Sequence, residues 1–215
     1  MAKVFDLESN GLLDEITTLH CLTIYDTVTK VYTRYNSQRN DLKEGLKVLA
    51  EADLLIGHNI KGYDIPAIQK LYPRFKPQGK VFDTLIVSRL IWVHIRDLDF
   101  DYARKHPEFP KNMIGRHSLQ AWGHRLGLLK GDYSGGWESW NQEMDDYCEQ
   151  DVRVTVGLYN KILEHHATSG KNIKEWKAFK ISQDDYYKKI EELENPSTNL
   201  SLDLKDLEVD KSRKN

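Results

Sequence analysis

Two carboxylates near the start of the chain, Asp6 and Glu8, have the spacing of a cation-binding pair. On a β-strand, residues i and i+2 point to the same face and lie about 7 Å apart along the backbone. Their side chains can therefore converge on a single ion. The same spacing is also common on solvent-exposed strands, so this pair by itself leaves both interpretations open.

Asp151 is a charged residue within the apolar stripe of a predicted helix near the end of the chain. The stripe has i, i+3 and i+4 spacing and consists of Met144, Tyr147, Cys148, Asp151, Val152, Thr155, Leu158, Tyr159 and Ile162. Such a stripe is expected to face the core. A buried carboxylate needs a proton, a metal ion or an opposite charge, so an ion pair with an arginine is the alternative to a metal site. Tyr147 precedes Asp151 by about one helical turn, roughly 6 Å along the axis.

Asp64 is the fourth candidate acid, at the start of a predicted helix that follows a polar loop. A carboxylate in the first turn of a helix also interacts favourably with the helix dipole, which is an ordinary structural explanation. If the four acids converge, however, each pair about 4 Å apart repels by roughly 4 kcal/mol at an effective dielectric constant near 20. Divalent cations would turn that repulsion into binding.

The chemistry of such a cluster follows from its ligand atoms. Carboxylate oxygens without histidine or thiolate favour Mg²⁺ or Mn²⁺ over Zn²⁺. Two of these ions about 4 Å apart can activate a water and stabilise the leaving oxygen in a phosphoryl displacement. The sequence therefore predicts a two-metal site for phosphoryl displacement by water, provided that the acids meet.

Strand and helix signals place the four acids in an α/β fold. Strands are predicted over residues 2–8, 21–25, 31–35, 54–57 and 81–83, and helices over residues 42–49, 64–71, 84–94, 118–126 and 143–165. The second and third strands are expected to pair antiparallel through a short turn, and Asp41 is placed to cap or charge the first helix. Residues 96–116 contain two prolines and are predicted to form a long irregular connection, as a flap or an insertion. The resulting architecture is a mixed sheet flanked by helices.

Composition limits the class of partner and compartment. The chain has 215 residues and a formal net charge of −2, so it lacks the broad basic surface of a protein that coats nucleic acid. Its two cysteines, Cys21 and Cys148, have neither zinc-site nor disulfide spacing, which favours a reducing compartment. No signal peptide and no stretch of roughly 18 apolar residues is found. We expect a cytoplasmic protein without a membrane partner.

Three segments resemble the exonuclease motifs of the DnaQ-like superfamily. They are residues 5–12 (FDLESNGL), 58–67 (HNIKGYDIPA) and 147–151 (YCEQD), with further similarity in residues 83–91 and 117–133. Together they cover most of residues 4–163 and are most similar to the proofreading exonuclease domain of bacteriophage DNA polymerases related to bacterial DNA polymerase I. The Y-x-x-x-D spacing is that of the tyrosine-type subfamily. The histidine variant would place its histidine at position 146, where this chain has Asp146.

The resemblance implies a ribonuclease H-like fold and a 3′–5′ exonuclease that releases nucleoside monophosphates from DNA 3′ ends. Asp6, Glu8 and Asp151 would hold the first of two divalent cations, Mg²⁺ or Mn²⁺, and Asp6 would bridge to the second. Asp64 would position the second cation through water, and Tyr147 would orient the attacking water.

The resemblance also suggests two substrate-binding residues. Asn59 would contact the 3′-terminal nucleotide or set the local geometry. Leu12 would wedge against the terminal base, with ordinary core packing as its alternative. Trp137, Trp140 and the pair His165 and His166 are assigned to packing or to the surface.

The chain is too short to contain a polymerase module, so we expect a separate exonuclease subunit or an excised domain involved in replication and proofreading. Residues 1–167 are predicted to form the exonuclease domain, residues 168–194 a helical extension and residues 195–215 a disordered tail. The expected partners are single-stranded or frayed DNA 3′ ends and a separate DNA polymerase subunit, in the bacterial host cytoplasm if a phage encodes the chain. Residues 172–194 are a candidate docking element, with ordinary helix packing as the alternative.

Two alternatives to a DNA exonuclease remain open. One is a 3′–5′ exoribonuclease of the RNase D or oligoribonuclease type. The other is a non-catalytic accessory subunit of a replisome that binds DNA or the polymerase, although such a subunit would gain nothing from clustered carboxylates.

Overall fold

A computed structural model of the chain describes residues 1–128 and 133–172, with side chains as far as residue 167. Residues 1–166 form one compact unit. The disordered tail predicted over residues 195–215 lies outside the described residues, as does the extension over residues 168–194 beyond residue 172. The proposed docking element falls in the same region. The predicted domain division therefore stays a prediction.

Five strands form one mixed sheet. They are β1 (Ala2–Ser9), β2 (Leu19–Asp26), β3 (Tyr32–Asn36), β4 (Leu54–Gly57) and β5 (Lys80–Asp83). Their order across the sheet is β3-β2-β1-β4-β5, with β1, β2 and β3 antiparallel and with β4 and β5 parallel to β1. The predicted strands and the antiparallel pairing of the second and third strands are confirmed.

Six α-helices flank the sheet within the described residues. They are α1 (Leu42–Ala50), α2 (Asp64–Leu71), α3 (Thr84–Ile91), α4 (Ile95–Lys105), α5 (Leu119–Leu126) and α6 (Gln142–Asn172), with a short 3₁₀ turn at Lys111–Met113. Ser118 caps α5 as predicted, because its hydroxyl accepts a hydrogen bond from the Ala121 N–H group. Asp41 precedes α1, but its carboxylate accepts from the Asn36 N–H group and from Arg39 instead of capping the helix.

The irregular connection predicted over residues 96–116 is wrong in its first half, which α4 occupies. The segment has few apolar residues, and this concealed the helical pattern. Asp99 of α4 is buried and accepts two hydrogen bonds from Arg125, at 2.8 and 2.7 Å, across a sequence separation of 26 residues. A buried ion pair between distant residues thus stabilises a helix that its local periodicity does not reveal.

The two faces of β1 have different surroundings. Phe5 and Leu7 belong to the main hydrophobic core, which β2, α1 and α2 complete with the aliphatic side chains of Leu22, Leu42, Leu46, Leu49, Ile65 and Ile68. The opposite face of β1 and β2 lies under α6, where Cys21 packs with Met144 and Cys148. The alternating burial of β1 therefore separates a core face from the face that carries Asp6 and Glu8.

Polar contacts also hold α6 on the sheet. Arg34 of β3 donates to Glu149 and to Asp146, each at 2.5 Å, and Asn36 donates to Asp145 at 2.7 Å. The predicted apolar stripe of α6 is buried against the sheet, apart from two half-buried tyrosines. Both sets of contacts fix the rotation of α6, which carries Tyr147 and Asp151. In the described part of the chain, no helix is long and apolar enough to cross a membrane.

Candidate active site

The face of β1 under α6 brings the first two acids together. Asp6 and Glu8 pair with Thr23 and Cys21 of β2, and the pairing shifts register directly after Glu8. Such a bulge bends the strand and changes the direction of its side chains. The nearest side-chain oxygens of Asp6 and Glu8 lie within 4.8 Å of one another, a separation that a single cation can bridge.

The loop after β4 approaches the same end of the sheet, because β4 runs parallel to β1. The buried Asp83 carboxylate holds this loop by accepting hydrogen bonds from the N–H groups of Asn59, at 2.9 Å, and Lys61, at 3.1 Å. Asn59 adopts a left-handed conformation with φ of 65°, which asparagine tolerates better than most residues. Its side-chain oxygen would lie 2.6 Å from a Cβ atom at Gly62, so a larger residue there would displace the Asn59 side chain.

Asp64 begins α2 directly after this loop and is 4% exposed. Burial raises the pKa of its carboxyl group to about 7, and the neighbouring Asp83 and Asp151 carboxylates add to the shift. The backbone N–H groups of Asp64 and Leu7 oppose the shift. A nearby cation would therefore stabilise the ionised form of Asp64.

A cleft of about 230 Å³ brings the predicted residues together. Its lining residues are Asp6, Leu7, Glu8, His58, Asn59, Tyr63, Asp64, Trp137, Tyr147 and Asp151. All four predicted acids, the predicted tyrosine and Asn59 therefore meet in one place. Their catalytic and binding roles stay predictions.

Leu12 is the predicted substrate-binding residue that does not line this cleft within the described part of the chain. Its side chain is 75% exposed, so the alternative of core packing is wrong. Its loop is tied to the site by Tyr63, whose hydroxyl donates to the Gly11 carbonyl at 2.6 Å. The wedge role of Leu12 stays a prediction.

A buried thiol lies beside the first two acids. The Cys148 sulfur is within 4.8 Å of the carboxylate oxygens of Asp6 and Glu8, and its S–H group donates to the Asp6 carbonyl at 3.3 Å. Burial raises the pKa of Cys148 well above its ordinary value, so the thiol stays neutral. The charged groups of the cleft that could bind a cation are therefore carboxylates. A set of carboxylate ligands fits Mg²⁺ or Mn²⁺.

Three polar or aromatic residues of the cleft were missed by the sequence-based prediction. His58 and Tyr63 lie within the second motif, so the resemblance could have identified them. His58 Nδ1 donates to the Thr84 hydroxyl at 3.0 Å, and that hydroxyl donates to the Gly57 carbonyl at 3.0 Å. Trp137 was assigned to packing or to the surface. It is 39% exposed and also lines the cleft, which no motif of the sequence indicated.

The other aromatic residues agree with their assignment. The indole N–H group of Trp140 donates to Asp145 at 2.9 Å, next to the hydrophobic cluster under α6. The ring of His165 packs edge-on against Trp92, with ring centroids 5.5 Å apart.

Comparison with known proteins places this cleft in a family. The model of the RNase_H superfamily matches residues 4–163. The DNA-directed DNA polymerase of Escherichia phage T7 is 35% identical over 185 residues, which cover 74% of this chain and 26% of that protein. The chain therefore spans about a quarter of the length of the curated relatives that it matches.

Solved structures share the fold at low sequence identity. Brucella melitensis NrnC bound to pGG matches with a TM-score of 0.56 and 17% identity, over 93% of this chain and 89% of that chain. NrnC has also been solved with bound Mg²⁺. Escherichia coli RNase D, an exoribonuclease involved in structured RNA processing, matches with a TM-score of 0.52 and 14% identity, over 79% of this chain and 40% of that chain.

These matches confirm the predicted ribonuclease H-like fold and the resemblance to phage DNA polymerases. The family match includes every strand of the sheet and every acid of the cleft, from β1 to the middle of α6. The chain belongs to the RNase_H superfamily.

Proposed function

We propose that this chain is a two-metal-ion 3′–5′ exonuclease that releases nucleoside monophosphates from DNA 3′ ends. The observation that carries the proposal is the meeting of four carboxylates and Tyr147 in one cleft. Membership of the RNase_H superfamily and similarity to a phage DNA polymerase support an exonuclease. Clustered carboxylates cost stability, so a protein that only binds a partner would not benefit from them.

The proposed ligand set divides between strand and helices. Asp6, Glu8 and Asp151 would hold one divalent cation. Asp6 would also bind the second cation, which Asp64 would position through water. When bound, such ions supply Lewis-acid chemistry, which lowers the pKa of an attacking water and stabilises the leaving oxygen. Asp6 and Glu8 are half-buried and line the cleft, whereas Asp151 also lines it but is only 5% exposed.

The protein side chains then bind and orient the substrate. Tyr147 lies beside the acids on the same helix as Asp151, where its hydroxyl can hydrogen-bond the attacking water. Asn59 projects from a loop that the Asp83 carboxylate holds in place, and it can contact the terminal nucleotide. These positions supply orientation, which lowers the entropic part of the barrier.

The choice of DNA rests on sequence similarity. At 35% identity, the matched polymerase of phage T7 is a closer relative than the nucleases that share the fold at 17% identity or less. The net charge of −2 fits an enzyme that grips a few nucleotides through cations at one site, without a broad basic surface. On the basis of the same similarity, we also propose a role in replication or proofreading, beside a separate polymerase in the bacterial host.

The decisive experiment compares two labelled substrates with the same sequence, one a 3′-extended DNA and the other the corresponding RNA. With Mg²⁺, we expect stepwise removal of mononucleotides from the DNA 3′ end, and EDTA should abolish it. The Asp6→Ala protein serves as the matched control for a contaminating nuclease. Faster digestion of RNA would replace the DNA assignment with an exoribonuclease. Stable DNA binding without any mononucleotide release would contradict the proposed hydrolysis.

A further inference from the structure

We propose that Trp137 is a nucleobase-stacking residue that makes the cleft prefer an unpaired, base-bearing 3′ end. The inference rests on the proposed nuclease function and adds a specificity determinant to it. Trp137 lies outside the three motifs, lines the cleft and keeps part of its indole ring in solvent.

The indole ring lies next to the proposed water-binding tyrosine. Its centroid is 6.3 Å from that of Tyr147, with the two ring planes at 76°. The ring of Tyr133 packs against both, at 4.7 Å from Trp137 and 5.6 Å from Tyr147. The three rings form an aromatic wall, defined here as Tyr133, Trp137 and Tyr147, of which Trp137 and Tyr147 line the cleft and Tyr133 packs behind them. A nucleotide whose phosphate meets the acids would have its base, or that of its neighbour, within reach of this wall.

The backbone around Trp137 is held from both sides. Its carbonyl accepts a hydrogen bond of 2.9 Å from Nε2 of His20, a residue of β2 that is 3% exposed. The Tyr133 hydroxyl donates to the Gly136 carbonyl and accepts from the Asn141 side-chain amide, each at 2.8 Å. These hydrogen bonds hold the backbone of the segment before α6, so the indole would lose little freedom when a base stacks on it.

Stacking on an exposed indole suits single-stranded nucleic acid. Every nucleobase has a π-face, and aromatic stacking adds to binding without selecting a sequence. In a paired end the terminal bases are already stacked and hydrogen-bonded, so they would have to fray before they could use Trp137. An aromatic wall beside the acids therefore favours mismatched or frayed ends over fully paired ends.

The first test uses the full-length protein and steady-state digestion of single-stranded oligonucleotides. Trp137→Leu keeps an apolar side chain but removes the π-face, and we expect its KM to rise about tenfold with a much smaller change in kcat. Trp137→Phe should recover most of the lost affinity. Phe100→Ala is the matched control, because Phe100 is an exposed aromatic residue (43%) of α4 that is not among the residues lining the cleft.

The second test locates the stacked base and removes the ambiguity of a folding defect. Single tetrahydrofuran abasic residues replace the terminal, second or third nucleotide in turn. If Trp137 stacks on one base, the KM difference between wild type and Trp137→Leu disappears when that base is absent and persists at the other two positions. A misfolded variant would instead be impaired on all substrates. In that case the KM of Trp137→Phe would be compared with that of wild type on the same substrates, and we expect the same pattern with a smaller KM difference.

The outcomes separate this inference from the proposed function. A wild-type protein that hydrolyses no nucleic acid would contradict the function. A wild-type protein that is active, together with a Trp137→Leu protein of unchanged KM on every substrate, would overturn the stacking role alone. An equal KM difference for paired and single-stranded ends would also contradict the proposed preference for unpaired ends.

Discussion

At the scale of single residues, the four acids of the cleft differ in their exposure to water. Asp6 and Glu8 are half-buried on β1, whereas Asp64 and Asp151 are 4% and 5% exposed. An ionised carboxylate is costly to bury without an opposite charge. We therefore expect Asp64 and Asp151 to bear most of the electrostatic cost of the cation-free cleft. Substituting these two acids should distinguish an effect on catalysis from an effect on stability most clearly.

Substituting Asp151 and Tyr147 tests their relative importance for hydrolysis. Asp151→Asn keeps the shape of the side chain but weakens a proposed metal ligand, so we expect kcat to fall by about a thousandfold. Tyr147→Phe removes only a hydroxyl that orients water, and its kcat should fall by about tenfold to a hundredfold. Single-turnover rates at saturating Mg²⁺ measure both effects. A larger loss for Tyr147→Phe than for Asp151→Asn would contradict the proposed division of roles.

The raised pKa of Asp64 predicts a pH-dependent cost in the metal-free protein. The carboxyl group has a pKa of about 7 when folded, against an ordinary pKa of 3.8, so the folded state binds more protons between these values. The free energy of unfolding should therefore decrease as pH rises from about 4 to 7. Asp64→Asn removes this cost and should stabilise the metal-free protein at pH 8 by up to about 4 kcal/mol, with no gain at pH 4.

Chemical denaturation in EDTA at both pH values measures this difference. At pH 8, saturating Mg²⁺ should reverse the order, because wild type then has the ligand that the asparagine variant lacks. An equal effect of Asp64→Asn at pH 4 and pH 8 would show that the carboxyl group does not titrate in this range.

At the scale of elements, the site depends on how α6 lies on the sheet. The cleft needs β1 for two acids, α2 for a third and α6 for the fourth acid and the tyrosine. Arg34 of β3 anchors α6 through Glu149, whose side chain is 14% exposed, and Arg153 pairs with the same glutamate at 2.5 Å. We expect these partly buried charges to fix the position of α6 more than they add to stability.

Replacing Arg34 by methionine tests this anchoring. The substitution keeps an apolar stem of similar length and leaves Glu149 with one partner fewer, so we expect a loss of about 1–2 kcal/mol together with a lower kcat. Arg104→Met is the matched control, because Arg104 pairs with Asp101 where both side chains are at least 70% exposed. Thermal denaturation and initial rates measure the two effects. Equal consequences for the two variants would rule out a positioning role for Arg34.

Substitution of Gly57 by alanine tests how closely the loop after β4 approaches β1. A Cβ atom at Gly57 would lie 2.1 Å from Cγ2 of Ile60 and 3.0 Å from the Phe5 carbonyl, so Gly57→Ala must displace the loop that carries Asn59. We expect a loss of about 1–3 kcal/mol and weaker activity. Gly11→Ala is the control, because its nearest neighbour would be in ordinary contact at 3.6 Å. Similar melting temperatures for Gly57→Ala and wild type would contradict the close packing.

At the scale of the whole molecule, the cluster of acids links folding to cation binding. Mutual repulsion among the four carboxylates lowers the stability of the metal-free protein, and a divalent cation that binds only the folded state raises it. At a concentration one hundred times its dissociation constant, Mg²⁺ should stabilise the protein by about 2.7 kcal/mol. For a chain of this size that is roughly 5–10 °C in Tm.

Thermal unfolding with Mg²⁺, Mn²⁺, Ca²⁺ and EDTA measures this linkage without reference to activity. The increase in Tm should be much smaller in the Asp151→Asn protein. An equal increase in wild type and in Asp151→Asn would place the bound cation outside the cleft.

Local patterns in the sequence determined much of this architecture. Alternation along β1, turn residues between β2 and β3 and the apolar stripe of α6 each depend on neighbouring residues, so they predicted elements and faces correctly. The spacing of the stripe was also enough to identify Asp151 as a buried acid. The motif resemblance predicted which acids belong to one site.

Only the tertiary structure decided what depends on residues far apart in the chain. The ion pair of Asp99 and Arg125 links α4 to α5 across 26 residues. The pKa of Asp64 rises because its side chain is buried and the Asp83 and Asp151 carboxylates lie near it. Trp137 lines the cleft, and His20 of β2 contacts its backbone across a separation of 117 residues. Periodicity and capping are encoded locally, whereas burial, charge pairing and the edge of a cleft exist only after the chain has folded.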